Sequence, residues 1–219
     1  MCRLRARNGD EMLKVERITV MNFENAIRGA RNPLNSWDRM DSYYDEKGNF
    51  VLGENDLSLA TRLARAGSDH RKYLRQVMVS MDITAPLYWW KEFDTYKVGT
   101  VANSTSTMHK IQAKEFSRED FSSDRMTDDC LAVLDSLITY LESERVKFNE
   151  TKEKAHWHNM IQLLPSSYNQ MRTVTMNYEV LINIYYARKT HKLAEWHTLC
   201  DAIRELPYAE NLILVKEEQ

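Results

Sequence analysis

The chain has 219 residues, of which 43% are hydrophobic and 28% charged, and its formal net charge is -2. This size and composition fit one globular domain with a hydrophobic core, and the near-neutral charge excludes the electrostatic signature of proteins that bind duplex nucleic acid or anionic membranes. Three scattered cysteines form no disulfide framework and favour a cytoplasmic protein, and no apolar run approaches the ~20 residues of a membrane span.

The two ends of the chain differ in composition from the rest. Residues 1–12 are basic but lack the apolar segment of a signal peptide, so we interpret them as a leader. Residues 13–215 carry the periodic apolar patterns and are predicted to form a single domain, which a short tail at 216–219 follows.

The first elements of the domain are predicted to be a strand, a short helix and a loop. The β-branched segment "LKVERITV" at 13–20 predicts a strand, and Asn22 is expected to cap a helix over 23–30. Residues 31–55 are polar and contain a proline and two glycines. This composition predicts a loop with a short hairpin near Lys47-Gly48.

A second helix and a second strand follow. In "NDLSLATRLARAG", Asn55 is expected to cap a helix that Gly67 ends, with Leu59 and Leu63 on one face. The segment "QVMVSMDIT" at 76–84 alternates apolar and polar side chains, which predicts a strand with one buried face. Its inward side chains are expected to be Val77, Val79, Met81 and Ile83.

The second half of the chain is predicted to be mostly helical. Residues 85–110 are first aromatic and then rich in hydroxyl groups, without a clear element, and a helix is predicted from about 127 to 149 because its large aliphatic residues share one stripe. The stripe consists of Leu131, Leu134, Ile138 and Leu141. Since strands and helices do not alternate as βαβ units, the predicted fold class is α+β, with a mixed or antiparallel sheet and a long buried C-terminal helix.

The predicted C-terminal helix covers 176–197, and its first half is apolar on nearly every side. Such a helix is buried in a domain core or between subunits. Yet Asn177, Asn183 and Arg188 lie inside it, and burying an amide without a partner costs roughly 1–3 kcal/mol. At about 100° per residue, Asn177 and Arg188 share one stripe with Ile184, whereas Asn183 points elsewhere.

These polar side chains allow two interpretations. In the first, they form a structural network in which Arg188 pairs with Glu195 or with a carboxylate elsewhere. In the second, they meet a planar polar ligand, because a guanidinium fork suits a carboxylate, a phosphate or a pyrimidine edge, and an amide offers both a donor and an acceptor. The spacing of the residues does not choose between the two.

The segment around this helix resembles the C-terminal signature of the flavin-dependent thymidylate synthases (ThyX). That signature has a Leu-Pro turn, a buried helix of the form N-x5-N-x4-R and an H-A-Q-W-E-I-R run. The present chain has "LP" at 164–165, then Asn177, Asn183 and Arg188 at the same spacing, and then "THKLAEW". Glu195 stands where the family favours Gln.

The main departure from the family follows "AP" at 85–86, which matches the end of a family strand. The family motif R-H-R-x-x-S-x-N-E-x-S-x-R is missing there, and Thr-Tyr-Lys at 95–97 stands where R-H-R would be. Asn103, Thr105 and Ser106 fall on later polar positions of the motif, in one of two registers. Lysines offer point charges without the bidentate fork of the missing arginines.

The resemblance implies a role for each matching residue. The implied FAD-binding residues are Asn177, Asn183, His70 and Asn103. The implied dUMP-binding residues are Arg188, Lys97 and Ser106. The implied catalytic residues, which stabilise charge on the uracil ring or hydrogen-bond the nucleotide, are Arg188, Thr105 and Ser106.

The resemblance also implies an activity and an assembly. Reduced FAD would supply a hydride, methylenetetrahydrofolate the one-carbon unit and an external reductant the electrons, so that dUMP becomes dTMP. The family is a homotetramer with composite active sites. Loss of the R-H-R motif leaves two alternatives open: altered chemistry on a pyrimidine, such as hydroxymethylation, and a non-catalytic binding or interaction module. No metal is expected, because His156 and His158 lack further ligands at zinc-like spacing.

Overall fold

The computed structural model describes residues 13–215, so the leader and tail predicted at 1–12 and 216–219 lie outside the described residues. The strands are β1 Lys14–Met21, β2 Tyr43–Tyr44, β3 Phe50–Val51, β4 Met78–Pro86, β5 Val101–Ser104 and β6 Asn169–Asn177. Four of them form an antiparallel sheet in the order β1-β4-β6-β5, and β2 pairs with β3 in a separate hairpin.

The helices of residues 13–215 account for much of the remaining chain. They are α1 Phe23–Arg31, α2 Glu54–Arg65, α3 Leu87–Phe93, α4 Asp128–Thr151, α5 Lys154–Leu163, α6 Tyr178–Arg188, α7 Glu195–Arg204 and α8 Ala209–Leu212. Within the described residues, no helix is long and apolar enough to span a membrane. The combination of helices with an antiparallel sheet confirms the predicted α+β class.

The sheet has one apolar and one polar face, as antiparallel sheets commonly do. The predicted inward side chains Val77, Val79, Met81 and Ile83 are at most 1% exposed, which confirms the alternation of β4. On the other face, Thr173 of β6 donates a hydrogen bond to Asp82 Oδ1 at 2.6 Å. The edge strand β5 is exposed along its whole length.

Two hydrophobic cores stabilise the fold. The larger one joins the apolar face of the sheet to most of the helices, and its largest fully buried side chains are Trp89, Trp90, Trp196, Tyr178 and Phe93. The smaller one lies between α4, α5 and the segment before α4, and Leu134 and Leu141 of the predicted stripe are buried in it.

The predicted helix over 176–197 is wrong in its extent. Residues 169–177 form strand β6, and two helices, α6 and α7, follow in place of one. The change from strand to helix occurs at Asn177, whose side chain accepts the backbone N–H of Val180 at 3.0 Å and so caps α6. The helix is also not buried all round, because Asn183 and Tyr186 are exposed.

The predicted cap of α2 is also corrected. The helix begins at Glu54, after an extended Gly53, so Asn55 lies inside its first turn. The side chain of Asp41, from the preceding loop, accepts the backbone N–H groups of Asn55 and Asp56 at 2.8 and 3.0 Å. A carboxylate distant in sequence therefore performs the capping that the sequence assigned to a neighbouring amide.

Other elements lie close to their predicted positions. The strand β1, the helix α1 and the hairpin of β2 and β3 are all found. Asn22 does precede α1, but its side chain donates to the Gln76 carbonyl at 3.0 Å and does not cap the helix. Helix α3, for which the sequence predicted no element, begins directly after Pro86.

Candidate functional site

Arg188, the last residue of α6, is held on three sides by its own chain. Its Nε donates to Tyr96 Oη at 2.8 Å, and its Nη1 donates to Glu92 Oε2 at 3.1 Å. Its guanidinium carbon lies 4.5 Å from the centroid of the Trp196 ring, an arrangement that favours a cation. The interpretation of Arg188 as an ion-pair residue is confirmed, and its partner is Glu92 rather than Glu195.

Glu92, near the end of α3, is the centre of this network. Besides Arg188, the Nε1 of Trp196 donates to its Oε2 at 3.1 Å, and the Nε2 of His191 lies 3.4 Å from the same oxygen. One carboxylate thus connects α3 with the end of α6, the turn after it and the first turn of α7.

Arg172 of β6 repeats this arrangement on a second indole ring. Its guanidinium carbon lies 4.2 Å from the Trp90 centroid, and its Nη1 donates to Asp94 Oδ1 at 2.8 Å. Its Nε donates to Gln170 Oε1 at 3.0 Å, and Gln170 Nε2 donates to the Thr105 carbonyl at 2.7 Å. Sequence reasoning missed Arg172, although it is the one charged side chain in β6.

The two arginines flank a cluster of aromatic rings. The ring centroid of Trp89 lies 4.6 Å from that of Trp196, 4.9 Å from Trp90 and 5.1 Å from Phe93. These four side chains are at most 2% exposed, and Tyr96 closes the cluster at its half-buried rim. The buried rings therefore form a rigid support on which both guanidinium planes rest.

The turn before β5 occupies the place where the R-H-R motif would lie. Tyr96 points inward to Arg188, whereas Lys97 is exposed and has no ion-pair partner among residues 13–215. Gly99 has a φ of 74°, and a Cβ there would lie 3.1 Å from Asn177 Nδ2. The turn thus packs closely on the start of α6 at a position that only glycine occupies without strain.

The predicted hydroxyl and amide residues after this turn lie at the exposed sheet edge. Thr105 donates through its backbone N–H and its Oγ1 to the carbonyl of Met171, at 2.9 and 3.2 Å. Ser106 Oγ accepts the backbone N–H of His109 at 2.8 Å. Asn103 lies exposed in β5. The structure therefore links Thr105 to Arg172 through Gln170, whereas Arg188 bonds instead to Tyr96 and Glu92.

The predicted flavin residues divide between two places on α6. Asn177 caps the helix, whereas Asn183 is exposed one turn after Glu179 and has no side-chain hydrogen bond within residues 13–215. Glu179 pairs with Arg71 at 3.0 Å, and the exposed His70 directly precedes Arg71. Asn183 and Glu179 therefore share one side of α6, and His70 directly precedes the arginine that pairs with Glu179.

Comparison with solved structures finds this architecture in a well-defined group. The crystal structure of flavin-dependent thymidylate synthase ThyX from Helicobacter pylori complexed with FAD and dUMP has a TM-score of 0.69 at 16% sequence identity, over 91% of this chain and 97% of that chain. The chain has the ThyX fold.

Two further comparisons place the ThyX fold in context. A second Helicobacter pylori ThyX structure with FAD and dUMP has a TM-score of 0.68 at 17% identity, over 92% of this chain and 96% of that chain. A UMP/dUMP methylase, PolB from Streptomyces cacaoi bound with 5-Br dUMP, has a TM-score of 0.58 at 15% identity, over 91% of each chain. No protein-family model and no curated protein matches the sequence. The ThyX-like α+β fold predicted from the C-terminal signature is thereby confirmed.

Glu195, which stands where the ThyX signature has Gln, is buried and hydrogen-bonded within the chain. It is 2% exposed, begins α7 and accepts a hydrogen bond from Tyr88 Oη. A carboxylate in the first turn is stabilised by the positive end of the helix dipole. Burial, followed by the hydrogen bond to Glu195, raises the pKa of Tyr88 well above its ordinary value. The pair fixes α7 against α3.

The two histidines weighed as metal ligands lie in a helix. His156 and His158 belong to α5, and His156 Nδ1 lies 2.8 Å from Glu144 Oε2. Within residues 13–215, no group of three or more His, Cys, Asp or Glu side chains could hold a metal ion.

Proposed function

We propose that the chain binds FAD and transfers a one-carbon unit to the uracil ring of a deoxyuridine ligand, converting dUMP to dTMP as a ThyX enzyme would. Methylenetetrahydrofolate would be the donor, and an external reductant would supply electrons. The observation that carries this proposal is the ThyX fold over nine-tenths of the chain, with neighbours crystallised with FAD and dUMP, combined with the placement of Asn177, Asn183 and Arg188 on α6.

The residues on the outer side of α6 suit a flavin. Asn183 is exposed and offers an amide donor and acceptor, and His70 directly precedes Arg71, which pairs with Glu179 one turn earlier on the helix. Reduced flavin supplies a hydride when it is bound. The role we assign to Asn183 and His70 is to hydrogen-bond and orient the ring, while Asn177 fixes the start of the helix that carries Asn183.

The residues at the other end of α6 suit a uracil. Arg188 lies over the Trp196 ring and is held by Tyr96 and Glu92, so its remaining Nη2 donors have a fixed direction and are proposed to donate to a ring carbonyl. Hydrogen bonds to that carbonyl would stabilise negative charge that develops on the ring. Thr105, Ser106 and Lys97 are proposed to complete the nucleotide contacts from the sheet edge and the preceding turn.

A second candidate is a non-catalytic binding module with the same fold. The observation that favours it is the occupation of Arg188 by Glu92 and of Ser106 Oγ by backbone N–H groups. A side chain that already makes hydrogen bonds within its own chain has fewer donors and acceptors left for a substrate. Flavin binding and turnover distinguish the two candidates.

The first prediction tests the flavin site. The purified full chain mixed with FAD should retain absorbance near ~450 nm after gel filtration. Replacing Asn183 with Ala should weaken FAD binding by about 1–3 kcal/mol, because a hydrogen-bonding group of the site is lost. The measurement is a fluorescence titration of FAD.

The control for this titration is Asn55→Ala, another exposed helical asparagine, which should bind FAD as the wild type does. A wild-type chain that binds no FAD would remove the flavin chemistry and leave the binding module. A chain that binds FAD should also methylate the uracil ring when methylenetetrahydrofolate and a reductant are added, with the product identified by mass spectrometry.

A further inference from the structure

Each arginine around the proposed ligand site is paired with a carboxylate of the same chain. Arg188 pairs with Glu92 at 3.1 Å, and Arg172 pairs with Asp94 at 2.8 Å. Farther along α6, Arg71 pairs with Glu179 at 3.0 Å. The positive charge that a ThyX-like site would direct at a phosphate is therefore largely neutralised within the chain.

The pairs also occupy the donors that a phosphate would need. Phosphate recognition by arginine typically uses two parallel N–H groups of one fork. The Nε of Arg188 donates to Tyr96, and its Nη1 donates to Glu92. The Nε of Arg172 donates to Gln170, and its Nη1 donates to Asp94. Neither arginine can offer the Nε edge to an oxyanion without losing a bond that it already has.

The carboxylates are held in place by the fold. Glu92 and Asp94 lie two residues apart at the end of α3, and each faces its own arginine. Both guanidinium groups rest on buried indole rings, with 18% and 16% of the arginine side chains exposed. The Glu92 and Asp94 side chains are 39% and 52% exposed, but each belongs to the same chain as its arginine. A phosphate in solution would therefore have to compete with a carboxylate that is present at high effective concentration.

We propose that this chain recognises its ligand mainly through the uracil ring and the sugar, with the 5′-phosphate adding little affinity, so that it binds both deoxyuridine and dUMP. This inference rests on the proposed function. Glu92 neutralises the charge of Arg188, while the remaining N–H donors of Arg188 keep a fixed direction. This arrangement suits an uncharged ring carbonyl better than a phosphate dianion. Lys97, in the turn before β5, has no ion-pair partner among the described residues, and it offers one exposed point charge.

The test compares two ligands that differ only in the phosphate. Deoxyuridine and dUMP are titrated by calorimetry into the full chain saturated with FAD. We expect dUMP to bind less than tenfold more tightly than deoxyuridine. A preference of tenfold or more for dUMP would overturn the inference while leaving the proposed function intact. A chain that binds neither ligand would overturn the proposed function itself.

Two variants test the cause of this selectivity. Glu92→Gln and Asp94→Asn each release one arginine from its carboxylate, so each should raise the preference for dUMP over deoxyuridine by about tenfold or more, the gain of one charge-assisted hydrogen bond. Because the two carboxylates act on different arginines, one variant still decides the question if the other does not fold.

The matched control is Glu46→Gln, which removes an exposed carboxylate from the hairpin of β2 and β3. It should change neither titration. If both site variants keep the wild-type preference between the two ligands, the built-in carboxylates do not set the selectivity and the inference is wrong.

Discussion

The buried acid Asp56 illustrates how single residues stabilise a charge inside this chain. Asp56 is fully buried and Arg31 is 4% exposed, and Arg31 Nη2 lies 2.6 Å from Asp56 Oδ1. The backbone N–H of Ser42 donates to the other oxygen at 3.0 Å. Burial alone would raise the pKa of Asp56, but hydrogen bonds from Ser42 and Arg31 lower it below its ordinary value. The pair pins the loop after α1 onto α2.

We predict that Asp56→Ala destabilises the fold by about 3–5 kcal/mol, because it leaves the buried charge of Arg31 without its partner. Urea denaturation measures the free energy of unfolding. Asp38→Ala, which removes an exposed acid from the same loop, should have a free energy of unfolding close to that of the wild type. An equal loss in both variants would mean that the buried pair contributes nothing specific.

The sequence identified Arg188 as a candidate site residue but did not identify the side chains that surround it. The spacing of Asn177, Asn183 and Arg188 located the residue and suggested a carboxylate partner. It did not identify Glu92, because 96 residues separate the two and only the packing of α3 against α6 and α7 brings them together. Arg172 was missed for the same reason, since its partners come from α3 and from Gln170 in its own strand.

At the scale of elements, the spacing of apolar residues predicted the strands and helices that bury one face. The alternation of β4 is confirmed, and Leu134, Ile138 and Leu141 of the predicted α4 stripe pack on the smaller core, because each element buries one side. Helix α3 escaped prediction because it has only seven residues, most of them aromatic. Strand β6 was not predicted because Asn177 both ends it and caps α6, so no turn residues separate the strand from the apolar helix.

The α4 and α5 pair is joined by another buried acid. Glu144 of α4 is 2% exposed and accepts hydrogen bonds from Lys147 at 2.8 Å and from Asn159 at 2.7 Å, while His156 Nδ1 lies at 2.8 Å. The bond from Lys147, followed by those from Asn159 and His156, lowers the pKa of Glu144 from 4.5 to about 2. The ionised carboxylate thus holds the two helices together around the smaller core.

This lowered pKa predicts an acid-dependent loss of stability. Since the carboxyl of the unfolded chain has the higher pKa, the contribution of Glu144 is fully present above pH 4.5 and declines as the pH falls towards about 2. Urea denaturation across this range should show the stability advantage of wild type over Glu144→Gln shrinking with acid. Glu150→Gln, an exposed site on α4, should show no such convergence, and a pH-independent difference for Glu144→Gln would contradict the assignment.

At the scale of the molecule, two surfaces remain open on the described chain. The outer side of α6 exposes Asn183, Tyr186 and Ala187, although Tyr186 Oη still donates to the Val215 carbonyl at 2.9 Å. The edge strand β5 exposes Val101, 66% of whose surface is accessible. The order of the strand and helix patterns predicted the fold class, but no local pattern marks which surfaces a second copy would cover. The homotetramer implied by the ThyX resemblance therefore stays a prediction.

The last prediction tests that assembly through the outer side of α6. If this side packs between chains, the wild type should run as a tetramer in light scattering at micromolar concentration. Ala187→Glu should reduce the oligomer, because a carboxylate would be buried without a partner. It should also weaken FAD binding, since Ala187 lies one helical turn from Asn183. Ala66→Glu, at the exposed end of α2, should leave both unchanged. A monomeric wild type that binds FAD fully would place the complete flavin site within one chain and reject the composite site that the tetramer implies.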